Sequence, residues 1–141
     1  MNLKLESCKE IYWEFVRMLR QDTRVKDGFI NNTYINQQDQ INYMTKFGKF
    51  YYIALIDDIP VGYVGVINED IRVCTHPDYH GKGIGKFMIN EIHKLYPNAI
   101  AKVKKSNEAS SNLFLSCNFI KQSEDKQFIY YKKINNANNT F

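Results

Sequence analysis

The run Val61-Gly62-Tyr63-Val64-Gly65-Val66-Ile67 carries no charged side chain. Side chains of a strand point alternately to its two faces, and neither set here suits water, so such a strand needs cover on both sides. The chain is therefore expected to build an α/β structure around a central strand, with helices on each face. The neighbouring sequence agrees. Residues 50–75 are rich in Tyr, Ile and Val and are broken at Asp57-Asp58 and at Asn68-Glu69-Asp70, which predicts three strands joined by tight turns in an antiparallel meander. Gly62 and Gly65 weaken a strand, so each is expected to let something pack close to the backbone.

Helical spacing on either side supplies the cover. After a short strand carrying Leu3 and Leu5, the residues Ile11, Phe15, Met18 and Leu19 predict a first helix with one buried face. Asn36 is expected to cap a second helix whose apolar face uses Ile41, Met44 and Phe47, with Gly48 as a left-handed stop. Between them, residues 21–35 have no period, and Asp27-Gly28 and Asn31-Asn32 favour turns, so this stretch reads as a surface loop. Downstream, Ile84, Phe87, Met88, Ile92 and Leu95 mark a third helix that Pro97 ends, and Ile100 with Val103 a short strand. Ser106 or Asn107 caps a fourth helix ending at Asn118, and 119–123 with 128–133 form a closing hairpin. Residues 1–134 are expected to form one domain, as suits a chain of 141 residues, followed by a frayed Asn-rich tail at 135–141.

The formal charge of +4 is spread along the chain. That excludes a nucleic-acid arm and suits an anionic ligand such as a polyphosphate. Cys8, Cys74 and Cys117 are odd in number and have no metal-ligand spacing, which predicts free thiols and no metal. The N-terminus has charges every few residues and no segment reaches membrane-spanning length, so a soluble, cytoplasmic protein without a membrane partner is expected. Monomer and homodimer are both compatible.

Chemistry concentrates in Val73-Cys74-Thr75-His76-Pro77-Asp78-Tyr79-His80-Gly81-Lys82-Gly83-Ile84-Gly85-Lys86, a strand running through a glycine turn into a helix. Glycines remove Cβ atoms where a phosphate must approach, and the first helical turn offers unpaired N–H groups and the positive dipole end. Lys82 and Lys86 add charge. Gly81 and Gly85 enclose three residues where a P-loop needs four, and Lys86 stands where the dinucleotide fingerprint needs its third glycine.

This segment resembles the acetyl-CoA motif of GNAT acetyltransferases, V-x-P-x-x-R/Q-x-x-G-x-G/A. The stretch from Asn107-Glu108-Ala109-Ser110 through Leu113-Phe114 to Asn118-Phe119 is similar to the family's N-x-x-A/S-x-x-L-Y/F-x-x-x-G-F. The order of expected elements also matches over nearly the whole chain. The resemblance implies a single GNAT-type α/β domain with a mixed, mostly antiparallel sheet of six to seven strands and about four helices. A bulge in the fourth strand would splay it from the fifth and receive the pantetheine arm. It implies acetyl-CoA as co-substrate, held by Val73, Thr75, His80, Gly81, Lys82, Gly83, Ile84, Gly85, Lys86, Asn107, Ser110 and Phe114. Two residues depart from the pattern. His80 replaces the usual Arg or Gln, and Phe114 stands where many relatives carry a tyrosine that protonates the departing thiolate. A phenyl ring has no proton to give, so a water or a tyrosine of the last hairpin would serve, or the thiolate leaves unassisted.

Candidate bases near the splay are Asp70, with Glu69 beside it, and His76. Cys74 is expected to be a buried thiol and not an acyl carrier. Leu19-Arg20-Gln21-Asp22-Thr23-Arg24-Val25, followed by Asn36-Gln37-Gln38-Asp39, partly resembles GNAT enzymes that acetylate nucleotide-linked amino sugars. That makes Arg20 and Arg24 candidate substrate ligands, although Arg20 equally suits closure of its helix. The alternatives are another small amine or a protein N-terminus as acceptor, and a non-catalytic acyl-CoA-binding domain.

Overall fold

Left-handed backbone pairs at Asp57-Asp58 (φ 49° and 69°) and Asn68-Glu69 (φ 52° and 64°) close two tight hairpins. Their twist matches that of the strands they join. The strands are β2 (Tyr51–Ile56), β3 (Ile59–Ile67) and β4 (Asp70–Thr75), the expected meander. β1 (Leu3–Ser7) pairs with the outer edge of β2. On the other side follow β5 (Ile100–Lys104), β6 (Phe119–Glu124) and β7 (Phe128–Lys133). The sheet has seven strands in the order β1-β2-β3-β4-β5-β7-β6, and β4 with β5 is its parallel pair. The computed structural model describes residues 2–31 and 33–134, so the expected tail lies outside the described residues.

Both faces of β3 are buried from Val61 to Ile67. On one side lies α3 (Ile84–Leu95), whose Ile84, Met88, Ile89 and Ile92 pack with Val64, Val66 and the α4 (Glu108–Ser116) ring of Phe114. Burying each such α3 side chain contributes about 1.5–3 kcal/mol. The opposite face carries α1 (Trp13–Gln21) and α2 (Gln37–Phe47), with Val16, Leu19 and Met44 against Ile53, Tyr63 and Cys74. The close approach expected at Gly62 is made by Met88, whose Cε would stand 2.8 Å from an added Cβ.

Four local expectations change. The buried stripe of α1 is Val16, Arg17 and Leu19, while Ile11 and Met18 are exposed. Ile11 lies in a 3-10 turn, Glu10–Tyr12, ahead of the start of α1 at Trp13, and Arg17 is retained inside by ion pairing to Glu14 and by Ile35 O. In α2 the buried positions are Gln40 and Met44, and Ile41 faces out, because Gln40 donates to Trp13 O. Gly48 has φ −56°, so it continues into a 3-10 turn instead of stopping the helix in the left-handed region. Its place against Trp13 and Met44 explains its small size. Finally, β3 and β4 pair from Gly62↔Thr75 to Ile67↔Asp70 with no register shift, so β4 carries no bulge.

Candidate active site

β4 and β5 meet at one register position, Asp70↔Ile100, with Ile100 N donating to Glu69 O at 2.7 Å. Beyond it they diverge. The opening comes from this single anchor and not from a bulge. Along the other edge, His76 N donates to Val61 O. Antiparallel pairs exchange bonds at alternate positions, so Cys74 and Arg72 bond to β3 and the backbone groups of Val73 and Thr75 face the gap. Thr75 O is already taken by His80 Nε2 at 3.1 Å.

The gap opens into a cleft of about 1000 Å³. Its α3 side is closed by the glycine turn. Gly81 and Gly83 have φ of 80° and 78°, and an added Cβ at either would meet nothing within 4 Å. Both therefore need glycine for backbone conformation, and both leave open space. Gly85 is different: its missing Cβ makes room for Leu113 at 2.9 Å, so it serves helix packing and not ligand approach. Phe87 N is bonded to Gly83 O, which leaves the N–H groups of Ile84, Gly85 and Lys86 at the helix end without intrahelical partners.

The expected site residues separate by position. Val73, Thr75, His80, Gly81, Gly83, Ile84, Gly85, Lys86, Asn107, Ser110 and Phe114 all line the cleft, as do Arg20, Arg24 and Asp70. Lys82 and His76 do not. Lys82 is exposed, and the His76 imidazole accepts from Asp78 N and packs edge-on against Tyr79. Asn107 spends its amide locally, capping α4 through Ser110 N and donating to Gly28 O. Asp27 and Gly28, within the expected loop, are thus tied across the cleft to Lys104 and Asn107. Arg24 is held between Asp22 and Asp78, both at 2.7 Å, and its hydrogen bonds push Asp22 down to about 2. Arg20 donates to Asn31 O and lies over the Phe29 ring.

Phe114 is 2% exposed and sits 5.2 Å from Phe119 and 6.5 Å from Tyr131. The hairpin tyrosines stay out of the cleft lining: Tyr131 is buried in the core, and Tyr130 donates to Asp125. Burial lifts the Asp70 carboxyl above its usual range against the opposing pull of Arg72, and its Oδ1 is shielded with no hydrogen-bond partner. Burial also pushes the Cys74 thiol up to about 12, which keeps it protonated. Among the described residues no cluster of three or more His, Cys, Asp or Glu could hold a metal ion, and no helix is long and apolar enough to cross a membrane.

A family model for the acetyltransferase (GNAT) domain matches residues 47–121, more than half of the 141 residues. The chain belongs to the GNAT acetyltransferase family. It is an acetyl-CoA-dependent N-acetyltransferase, and acetyl-CoA is its acetyl donor. None of the curated proteins compared with this GNAT chain matches it. Among solved structures, it is similar to the ribosomal-protein-alanine N-acetyltransferase of Brucella melitensis, with TM-score 0.78 and 16% identity over 94% of this chain and 99% of that one. It is similar to yncA of Salmonella typhimurium, solved with its cofactor acetyl-CoA, at 0.77 and 11% over 93% and 92%. It is also similar to spermidine N-acetyltransferase of Vibrio cholerae in complex with CoA and spermine, at 0.76 and 15% over 92% of each chain. At such identities the likeness is one of fold.

Residues not evident from the sequence also line this GNAT cleft, among them Tyr43, Tyr51, Tyr63, Arg72 and Lys102. Tyr43 and Tyr51 come from α2 and β2, and only the packing of those elements brings their hydroxyls to 2.7 Å. The sole sequence signal was the abundance of tyrosine, ten in all, which does not say which ones meet.

Proposed function

We propose that the domain formed by residues 1–134 transfers the acetyl group of acetyl-CoA directly to a small primary amine, with a nucleotide-linked amino sugar as the acceptor to test first. The observation that carries this is the single Asp70↔Ile100 pairing, which opens β4 from β5 directly beside the α3 N-terminus. The open space at Gly81 and Gly83 fits a phosphate group at that helix end, and the free N–H groups of Ile84 to Lys86 would hold it. Backbone groups of Val73 and the N–H of Thr75 would pair with the pantetheine arm. Acetyl-CoA, when bound, supplies an activated thioester.

The chain's own residues do the rest. The acceptor must reach the thioester as a neutral amine, and Asp70, the carboxylate of the cleft lining among the described residues, would take its proton directly or through one water. His76, whose ring nitrogen accepts from Asp78 N within its own turn and which does not line the cleft, is the less favoured candidate. Phe114 gives no proton, so the departing thiolate takes one from water entering the cleft. The walls of α1 and α4 orient the amine, and orientation alone supplies a large part of such a rate.

The amino-sugar reading is supported by Arg20 in the cleft lining, whereas Arg24 is already neutralised by two carboxylates. The test is thiol release from acetyl-CoA against a panel of amines including nucleotide-linked amino sugars. Arg20→Ala should raise KM for the nucleotide-linked acceptor about tenfold or more and leave acetyl-CoA affinity alone. If the free amino sugar is acetylated as efficiently and Arg20→Ala changes neither, a generic small amine takes its place.

A further inference from the structure

Arg72 lies two residues from Asp70 along β4, on the same face, and its guanidinium is little used. Among the described residues its partners are the hydroxyls of Tyr43, at 3.5 Å, and of Tyr51, and Asp70 Oδ2 at 3.7 Å, both distances at or beyond the limit of a hydrogen bond. The other arginines are engaged at short range: Arg17 with Glu14, Arg20 with Asn31 O, Arg24 with Asp22 and Asp78. A rigid fork of donors without a close partner, set in a cleft wall, suits a carboxylate or phosphate.

The surroundings of Arg72 complete an anion site. Its cross-strand partner is Gly65, and the Tyr51 ring occupies the space where a side chain on Gly65 would stand. This lets Tyr51 reach the Tyr43 hydroxyl at 2.7 Å. In such a pair one hydroxyl donates to the other, and the second proton remains free for a ligand. The charge lining the cleft has the same sense: Arg20, Arg72, Lys86 and Lys102 stand against Asp70, which among the described residues is the only carboxylate there.

We propose that Arg72, with the Tyr43 and Tyr51 hydroxyls, anchors a carboxylate or phosphate on the acceptor, so that amines carrying an acidic group are substrates and polyamines are not. This rests on the transferase reading above. Asp70 then faces the nitrogen while Arg72 faces the acid of the same molecule, so both charges of the acceptor are met by the opposite sign. A polyamine has nothing to offer Arg72 and would bring further positive charge into a cationic cleft.

Matched amines test it: glucosamine phosphate against glucosamine, phenylalanine against phenethylamine, and spermine. The acidic member of at least one pair should be preferred by about tenfold or more in kcat/KM, and which pair responds tells phosphate from carboxylate. Arg72→Gln should raise KM for that acid about 10- to 100-fold while KM for the neutral partner and acetyl-CoA affinity stay as they are, whatever change in kcat the two amines share through Asp70. Tyr43→Phe gives a second, smaller and equally selective loss, and serves if Arg72→Gln does not fold. Calorimetry of the acidic amines with the CoA-bound protein reads the anchor without turnover. Binding that Arg72→Gln abolishes, with no amine acetylated, would keep the anchor and overturn the transferase reading. Preference for spermine, or an equal rise in KM for acidic and neutral amines in Arg72→Gln, would overturn the anchor.

Discussion

The ring of Tyr51 lies across Gly65, its Cδ1 2.6 Å from the position an added Cβ would take. The same Cβ would stand 2.8 Å from Phe50 O, a backbone atom that cannot swing aside. Gly65→Ala should therefore cost about 1–3 kcal/mol in stability and displace Tyr51 from Tyr43. Urea unfolding measures the first and loss of the shared hydroxyl contact in a crystal structure the second. A fully stable variant with Tyr51 in place would show that the strand yields more easily than this packing implies.

Asp70 is expected to trade stability for activity. Burial raises its folded-state value above the unfolded one, with Arg72 and Lys102 pulling the other way. Its favourable contribution is then fully present below the unfolded value, near pH 4, and is lost as pH rises through the folded value. Asp70→Asn should accordingly be as stable as the parent or more so at pH 7, with the difference fading in acid. Its kcat should fall on the order of 100-fold if this carboxylate takes the proton. Thermal melts over a pH series and steady-state kinetics check both; a variant that melts lower yet turns over normally contradicts them.

Gly83 caps α3 at φ 78° with open space beside it. Gly83→Ala should strain that cap by about 1–2 kcal/mol and, because the methyl group enters the space assigned to phosphate, weaken acetyl-CoA binding beyond what the strain explains. Gly81→Ala, at φ 80°, is the comparison. Calorimetric titration of folded variants decides, and unchanged affinity in both would remove the phosphate from this turn.

Phe114 is packed between Phe119 and Tyr131 while one edge reaches the cleft. Phe114→Tyr should change turnover by less than about tenfold, roughly 1.4 kcal/mol in the barrier, if water already protonates the thiolate. Single-turnover measurement isolates that step. A much larger gain would mean that the natural enzyme lacks an acid.

Much of the fold was legible because it is written in local patterns. The apolar run 61–67 demanded two-sided cover, the turn pairs set the hairpins, Asn36 and Asn107 proved to be caps through Asp39 N and Ser110 N, and Asn118 took the left-handed position at φ 67°. Where a local pattern met a tertiary demand, the tertiary demand won. Ile11 and Met18 fit a helical stripe, yet Arg17 with its Glu14 partner took the inward place.

The glycine turn and the helix after it could be read as an anion site from sequence, since their chemistry belongs to consecutive backbone groups. What lies opposite could not. Asp70 and Ile100, Gly65 and Arg72, and Tyr43 and Tyr51 are joined by strand register and helix packing, and a side chain's neighbours across a sheet follow from where distant segments pair. The sequence by itself thus determined the layered α/β frame and pointed to the glycine turn as the proposed cofactor end of the cleft. Only the tertiary structure decided that Asp70 Oδ1 is buried without a hydrogen-bond partner, that Asp78 joins Asp22 in neutralising Arg24 and that Arg72 reaches the Tyr43 hydroxyl, because each depends on what distant parts of the chain bring within reach.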